Sequence, residues 1–294
     1  MSGKIVLAGG SGFIGTYLAD RFREQGSSVV VISRSAGDLG WDDHGKLAEV
    51  LNGADVLVNL AGKSVDCRYN DKNKRDILRS RTDTTRALGE AVLRCARPPK
   101  LWINSSTATI YRHAEDRPMT EENGEIGTGF SVSVAKAWEE AFFSFALPHT
   151  RKIALRISIV LGRGGVMKPL SRLTALGLGG TQGPGNQMFS WIHIEDLCRI
   201  ICYVREREDL DGVFNAASPH PVMNREFMKQ LRSACGRSFG LPMPVWLLEA
   251  GARLIRTETE LILKSRWVTP ERLLREGFSF RYGELREALE QIFE

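Results

Sequence analysis

Five short stretches place apolar residues in succession rather than in alternation with polar ones: residues 4–8 (KIVLA), 28–33 (SVVVIS), 55–60 (DVLVNL), 100–105 (KLWINS) and 153–157 (IALRI). Between the first two, residues 16–25 (TYLADRFREQ) set Tyr17, Leu18 and Phe22 on one side and charges on the other, the periodicity of an amphipathic helix. The last two stretches each follow a long helical segment. Strands that lack polar alternation and are separated by helices predict a parallel sheet buried on both faces. The expected class is α/β with a doubly wound parallel sheet.

Past residue 162 the pattern loosens. A glycine-rich loop spans 177–185 (GLGGTQGPG), prolines recur from Pro169 to Pro270, and a short strand at 212–216 sits between helical segments such as 225–234 and 282–293. This predicts a dinucleotide-type domain over 1–162 and a smaller mixed α/β lobe over 163–294, interleaved with the first. Ligands of open parallel sheets bind beyond the carboxyl ends of the strands, so the cleft between the lobes is the expected site.

The run Gly9-Gly10-Ser11-Gly12-Phe13-Ile14-Gly15 joins the first strand to the first helix. Glycines spaced three apart (Gly9, Gly12, Gly15) permit a sharp turn, close approach to a pyrophosphate and tight packing of helix on strand. The helix N-terminus, opened by Ser11, Phe13 and Ile14, offers N–H groups to the phosphates. Strand, glycine turn and helix in that order form the Rossmann context that gives the motif its meaning. An NAD site places an acid at the end of the second strand, but here that strand ends Ile32-Ser33-Arg34, with no acid until Asp38. The Arg34 guanidinium and the Ser33 hydroxyl suit a ribose 2′-phosphate, so NADP(H) is the expected cofactor.

Composition narrows the remaining classes. Hydrophobic residues make up 43% and charged ones 26%, enough for a buried core. Forty Lys+Arg against 35 Asp+Glu leave a net charge of +5, spread without a basic block, so no nucleic acid is expected. No apolar run reaches the ~20 residues needed to cross a bilayer, and the N-terminal apolar run is too brief for a signal peptide. Five scattered cysteines without a CxxC pair suit reduced thiols, a cytoplasmic location and no metal site. Cys198 and Cys202 share a helix face and read as packing residues. The expected partner is a small-molecule substrate.

The GxxGxxG spacing, with Asn59-Leu60-Ala61-Gly62 after the third strand, resembles the extended short-chain dehydrogenases/reductases. Ser105-Ser106-Thr107-Ala108-Thr109-Ile110-Tyr111 resembles the segment that supplies their catalytic Ser or Thr, and Phe189-Ser190-Trp191-Ile192-His193 resembles a block of the sugar-nucleotide epimerases. More narrowly, Ser80-Arg81, Trp138-Glu139, Leu176-Gly177-Leu178-Gly179-Gly180, Ala217-Ser218-Pro219 and Val268-Thr269-Pro270 resemble the atypical epimerase-like group labelled cell-division-inhibitor-like, over essentially the whole chain.

The resemblance implies hydride transfer between nicotinamide and a carbinol carbon. It makes Leu60, Ala61, Gly62 and Ser105 cofactor contacts, Thr107 the catalytic hydroxyl, and Arg81, Trp191 and His193 candidate substrate contacts. Where the family carries Tyr-x-x-x-Lys, this chain has Val132 and Lys136. The lysine position, a ribose contact in the family, is filled, but a valine moves no proton. Acid/base groups of this kind contribute ~10²–10⁴-fold. Tyr111 is the nearest replacement, with His193 a second candidate and Ser131 and Ser133 able to hold a water. Two functions follow: an NADP(H)-dependent oxidoreductase or epimerase with an altered acid/base group, or a dinucleotide-binding sensor that has lost catalysis. The region Met188-Phe189-Ser190 lacks the arginine common in sugar-nucleotide epimerases, which weighs against that substrate.

Overall fold

The computed structural model describes residues 3–34, 37–41, 43–255 and 258–294. The first half alternates β1 (Lys4–Ala8), α1 (Phe13–Glu24), β2 (Ser28–Ile32), α2 (His44–Leu51), β3 (Val56–Asn59), α3 (Asp71–Leu93), β4 (Leu101–Thr107), α4 (Phe130–Phe143) and β5 (Arg151–Ile157). The second continues with β6 (Ile159–Leu161), α5 (Met167–Ala175), β7 (Met188–Phe189), β8 (Trp191–His193), α6 (Ile194–Glu206), β9 (Gly212–Ala216) and β10 (Val222–Met223). It ends with α7 (Asn224–Ala234), α8 (Val245–Ile255), α9 (Glu260–Leu263), α10 (Glu271–Arg275) and α11 (Leu285–Phe293).

Six strands form one parallel sheet in the order β2-β1-β3-β4-β5-β9. The sheet is the expected doubly wound α/β architecture. Its sixth strand, β9, comes from beyond residue 162, so residues on both sides of that point build the one sheet. The strands alternate faces but not polarity. Ile5 and Leu7 pack with Leu18 and Phe22 of α1 and Leu197 and Val204 of α6. Val6 and Ala8 pack with Leu47 of α2, Leu88 of α3 and Phe142 of α4 on the other face. This double burial is why the strands carry no polar stripe.

A separate apolar cluster joins Leu161, Met167 and Trp191 to Phe227 of α7 and Leu289 of α11. Two boundaries shift for local reasons. Helix α1 begins at Phe13 because Gly12, in extended conformation, caps it. The last helix begins at Leu285, since the Arg281 and Tyr282 N–H groups both donate to the buried Asp196 carboxylate and hold that segment out of a helix.

Candidate functional site

The carboxyl ends of the strands place Gly9, Ser33, Leu60, Thr107 and Ser158 along one edge of the sheet. The glycines there have distinct duties. Gly9 has φ +77°, and a Cβ on it would lie 2.7 Å from the Ala61 backbone. A Cβ on Gly15 would lie 2.5 Å from Gly10 Cα, so α1 seats directly on the turn. At Gly12 the nearest atom to such a Cβ is 3.9 Å away, which leaves open space in front of the helix. No side chain caps α1 and no acid occupies its first turn. The N–H groups at Phe13, Ile14 and Gly15 therefore face a gap with a positive dipole end, the chemistry a pyrophosphate requires. These residues fit a dinucleotide. Gly162, Gly164 and Gly165 lie against the Phe13 ring, where each added Cβ would come within about 3.0 Å, so this later loop flanks the same helix end.

At the end of β2, Ser33 is buried and Arg34 is exposed. Asp38, the first acid after the strand, turns back: its Oδ2 accepts the Val31 N–H at 2.8 Å. Its carboxylate is engaged in closing the loop. A recess of about 480 Å³ borders Gly10, Ser11, Val31, Gly37 and Asp38 beside it. A surface depression of about 1210 Å³ between Asp55, Lys100, Arg151 and Arg205 lies at the opposite edge of the sheet and holds none of the site residues.

The turn after β3 is held by a buried amide network. Asn59 Oδ1 accepts the Ala61 N–H at 3.0 Å, and its Nδ2 donates to Asn104 Oδ1 at 2.7 Å and Thr85 Oγ1 at 3.0 Å. Trp138 Nε1 also donates to Thr85 Oγ1. Leu60, Ala61 and Gly62 are thereby fixed beside Gly9. Sequence reasoning passed over Asn104 and Thr85, because nothing in their local spacing pairs them with Asn59.

Thr107 ends β4, with its Oγ1 accepting the Thr109 N–H at 3.2 Å. That leaves the hydroxyl hydrogen available to a ligand. Ser105 is half-buried on the same strand. On α4, Val132 is buried while Lys136 is exposed and forms no ion pair with Glu140. Tyr111 is buried beneath this edge, against the last residues of β5 and β9. Its hydroxyl donates to Asn215 Oδ1 and accepts from Arg156 Nη1, both at 2.9 Å, and burial pushes its pKa up. Arg156 in turn grips Glu139, which also accepts from Ser106 Oγ at 2.6 Å.

Trp191 is fully buried and donates to the His220 carbonyl. His193 is buried as well: its Nδ1 accepts the Glu195 N–H at the start of α6 and its Nε2 meets Gln291 of α11. Burial lowers its pKa, so the ring is neutral near pH 7. Both side chains are engaged between β8 and α11, Trp191 in one apolar cluster with Leu289 and His193 on Gln291.

Other polar groups link distant parts of the chain, two of them to the segment just after β4. Ser131 Oγ donates to Glu260 Oε2 at 3.1 Å. Lys264 Nζ donates to the Thr109 carbonyl at 2.8 Å, and burial together with Arg266 pushes its pKa down to about 8. Arg266 Nε donates to Thr109 Oγ1. Apart from Ser131, which flanks Val132, no motif signals these residues, since they come from distant parts of the chain. Among the described residues no group of three His, Cys, Asp or Glu side chains is placed to hold a metal ion, and no helix is long and apolar enough to cross a membrane.

Residues 5–217 match the model of the NAD dependent epimerase/dehydratase family. The chain belongs to this family. Residues 243–292 match a domain of unknown function, DUF1731. The human epimerase family protein SDR39U1 is 32% identical over 297 residues, spanning 98% of this chain and 99% of the relative. The epimerase family protein YfhF of Bacillus subtilis is 32% identical over 299 residues, spanning 98% and 97%. A crystal structure of the human protein with NADPH superposes with a TM-score of 0.89 over 99% of each chain. A UDP-N-acetylglucosamine 4-epimerase from Bacillus cereus, 18% identical with a TM-score of 0.78, shares the fold.

Proposed function

We propose that this chain is an NADP(H)-dependent enzyme of the extended short-chain dehydrogenase/reductase type that oxidises, reduces or epimerises a carbonyl or hydroxyl compound, sugar nucleotides being one such class. The observation that carries this reading is the open, uncapped end of α1 at Gly12 on the same sheet edge as the Thr107 hydroxyl. The NADPH in the human relative supports the choice of cofactor, as do the exposed Arg34 and the engagement of Asp38. Residues 1–162 would carry the cofactor and 163–294 the substrate lobe, and the free cysteines suit a reducing cytoplasm.

In this reading Ser11, Phe13, Ile14 and Gly15 bind the diphosphate, Ser33 and Arg34 the 2′-phosphate, and Leu60, Ala61, Gly62 and Ser105 line the nicotinamide half. Lys136 holds the ribose. When bound, the cofactor supplies or accepts a hydride at the carbinol carbon. Thr107 orients the substrate oxygen and passes its proton to or from solvent, because Val132 offers none. Tyr111 positions Arg156 rather than reacting.

The test is calorimetric titration of NADPH and NADH, followed by loss of nicotinamide absorbance with a panel of aldehydes, ketones and UDP-sugars. Thr107→Val is expected to lower turnover ~10²-fold with NADPH affinity retained. Unchanged turnover in that variant removes Thr107 from the chemistry. Val132 favours a second reading, a sensor that binds NADPH without turning over. Tight NADPH binding with no turnover across the panel selects it.

A further inference from the structure

Among the described residues, Arg81 on α3 is a largely buried cation without a counter-charge. Its Nη1 donates to two backbone carbonyls, Ile77 at 3.0 Å and Lys63 at 3.1 Å. One face of the guanidinium lies against Gly62, where an added Cβ would be 3.0 Å from Cζ; Cζ also lies 5.1 Å from the Trp138 ring centroid. The indole is itself fixed through Nε1 to Thr85. Among the described residues no carboxylate comes within ion-pair distance of Arg81, and Nε and Nη2 meet no acceptor. Burial pushes its pKa down to about 10, the direction expected of a desolvated, unpaired cation.

The carboxylates beside Tyr69 are engaged elsewhere. Glu258 accepts the Tyr69 N–H at 2.8 Å and pairs with Arg68 at 3.5 Å, while Glu260 accepts from Ser131.

The vacant Nε–Nη2 edge is the one Arg156 uses to hold both oxygens of Glu139, at 2.9 and 2.8 Å. That edge matches a carboxylate or phosphate in two parallel hydrogen bonds. Buried charges are ordinarily paired, so a partner for Arg81 is expected from outside the chain. Gly62 follows Ala61, whose backbone abuts Gly9, which puts the edge alongside the cofactor turn. We infer that the Nε–Nη2 edge of Arg81 receives an oxyanion, a carboxylate or phosphate, carried by the substrate. The inference rests on the cleft being a substrate site and narrows its ligands to anionic compounds.

The cofactor's own phosphates are the other source of such a group, and two arms separate them. NADPH affinity is measured by calorimetry on the full chain for wild type, Arg81→Met and Arg81→Lys. The NADPH-loaded proteins are then titrated with inorganic phosphate and with citrate, glycerol serving as the neutral control. Saturable phosphate or citrate binding to wild type is expected, weakened about tenfold or more in Arg81→Met, with NADPH affinity changed less than about threefold.

Arg81→Lys keeps the charge without the fork. It is expected to fold and to bind the anion several-fold more weakly, which keeps the test valid should Arg81→Met not fold. Equal anion binding in all three proteins, or none in wild type, overturns the inference. A tenfold loss of NADPH affinity in Arg81→Met also overturns it, by assigning the edge to the cofactor. Arg81-dependent anion binding without turnover on any carbonyl would instead remove the catalytic reading and leave this one standing.

Discussion

Arg156 and Glu139 face each other from β5 and α4 through two parallel hydrogen bonds, Nε to Oε1 at 2.9 Å and Nη2 to Oε2 at 2.8 Å. Their side chains are only 11% and 12% exposed. Burial disfavours the Arg156 charge, and the bonds to Glu139 and Tyr111 more than offset that. The pair therefore locks α4, which carries Val132 and Lys136, onto the strand that carries Tyr111's partner.

Removing one member leaves the other charged and buried. Glu139→Ala is expected to destabilise the fold by about 3–5 kcal/mol, read from urea unfolding. Glu139→Ala with Arg156→Met together should cost less than the sum of the two single changes. Additive costs would mean that the pair does not act as a unit.

The glycines of the turn should separate stability from binding. Gly15→Ala sets a Cβ 2.5 Å from Gly10 Cα and is expected to cost about 1–3 kcal/mol through forced backbone shifts. Gly12 has φ −82° and room for a Cβ, so Gly12→Ala should cost about 1 kcal/mol or less. Its methyl enters the space assigned to the diphosphate, and NADPH affinity should fall well beyond that small change. Unaltered affinity in Gly12→Ala would show that the diphosphate lies elsewhere.

Cofactor preference should follow Arg34. Because the side chain is exposed, Arg34→Ala is expected to weaken NADPH by about tenfold and leave NADH unchanged. Equal effects on both nucleotides would place Arg34 away from the 2′-phosphate.

Acid stability should report on His193. Its ordinary pKa of 6.5 is lowered in the fold, chiefly by burial, so between the folded and unfolded values the unfolded chain binds the extra proton. The stabilisation is full above pH ~6.5 and is lost as pH falls through the folded value. In His193→Gln the stability difference between pH 7 and pH 5 should shrink, as read from denaturant midpoints. An unchanged pH slope would mean that His193 is not the group responsible.

The strands, the glycine turn, the missing acid after β2 and the valine at 132 were all legible from the chain. Each rests on local physics: apolar succession follows from burial on both faces of a sheet, and a glycine turn follows from backbone sterics within a few residues. What the side chains of the site do was not legible. Asp38 is an unremarkable acid until the loop folds it back on Val31. Tyr111 looks like a spare phenol until its hydroxyl meets Asn215, 104 residues away.

The sequence by itself determined the sheet, its cofactor turn and the absence of a proton donor at 132. Tertiary structure alone decided which charges are paired. It gave Glu139 to Arg156, left Arg81 without a carboxylate among the described residues, and set Lys264 against Thr109, 155 residues away in sequence. The reason is that charge pairing depends on strand order. In the sheet, β9 lies beside β5 and β5 beside β4, so residues remote in the chain share one low-dielectric edge where a counter-charge is either present or missing.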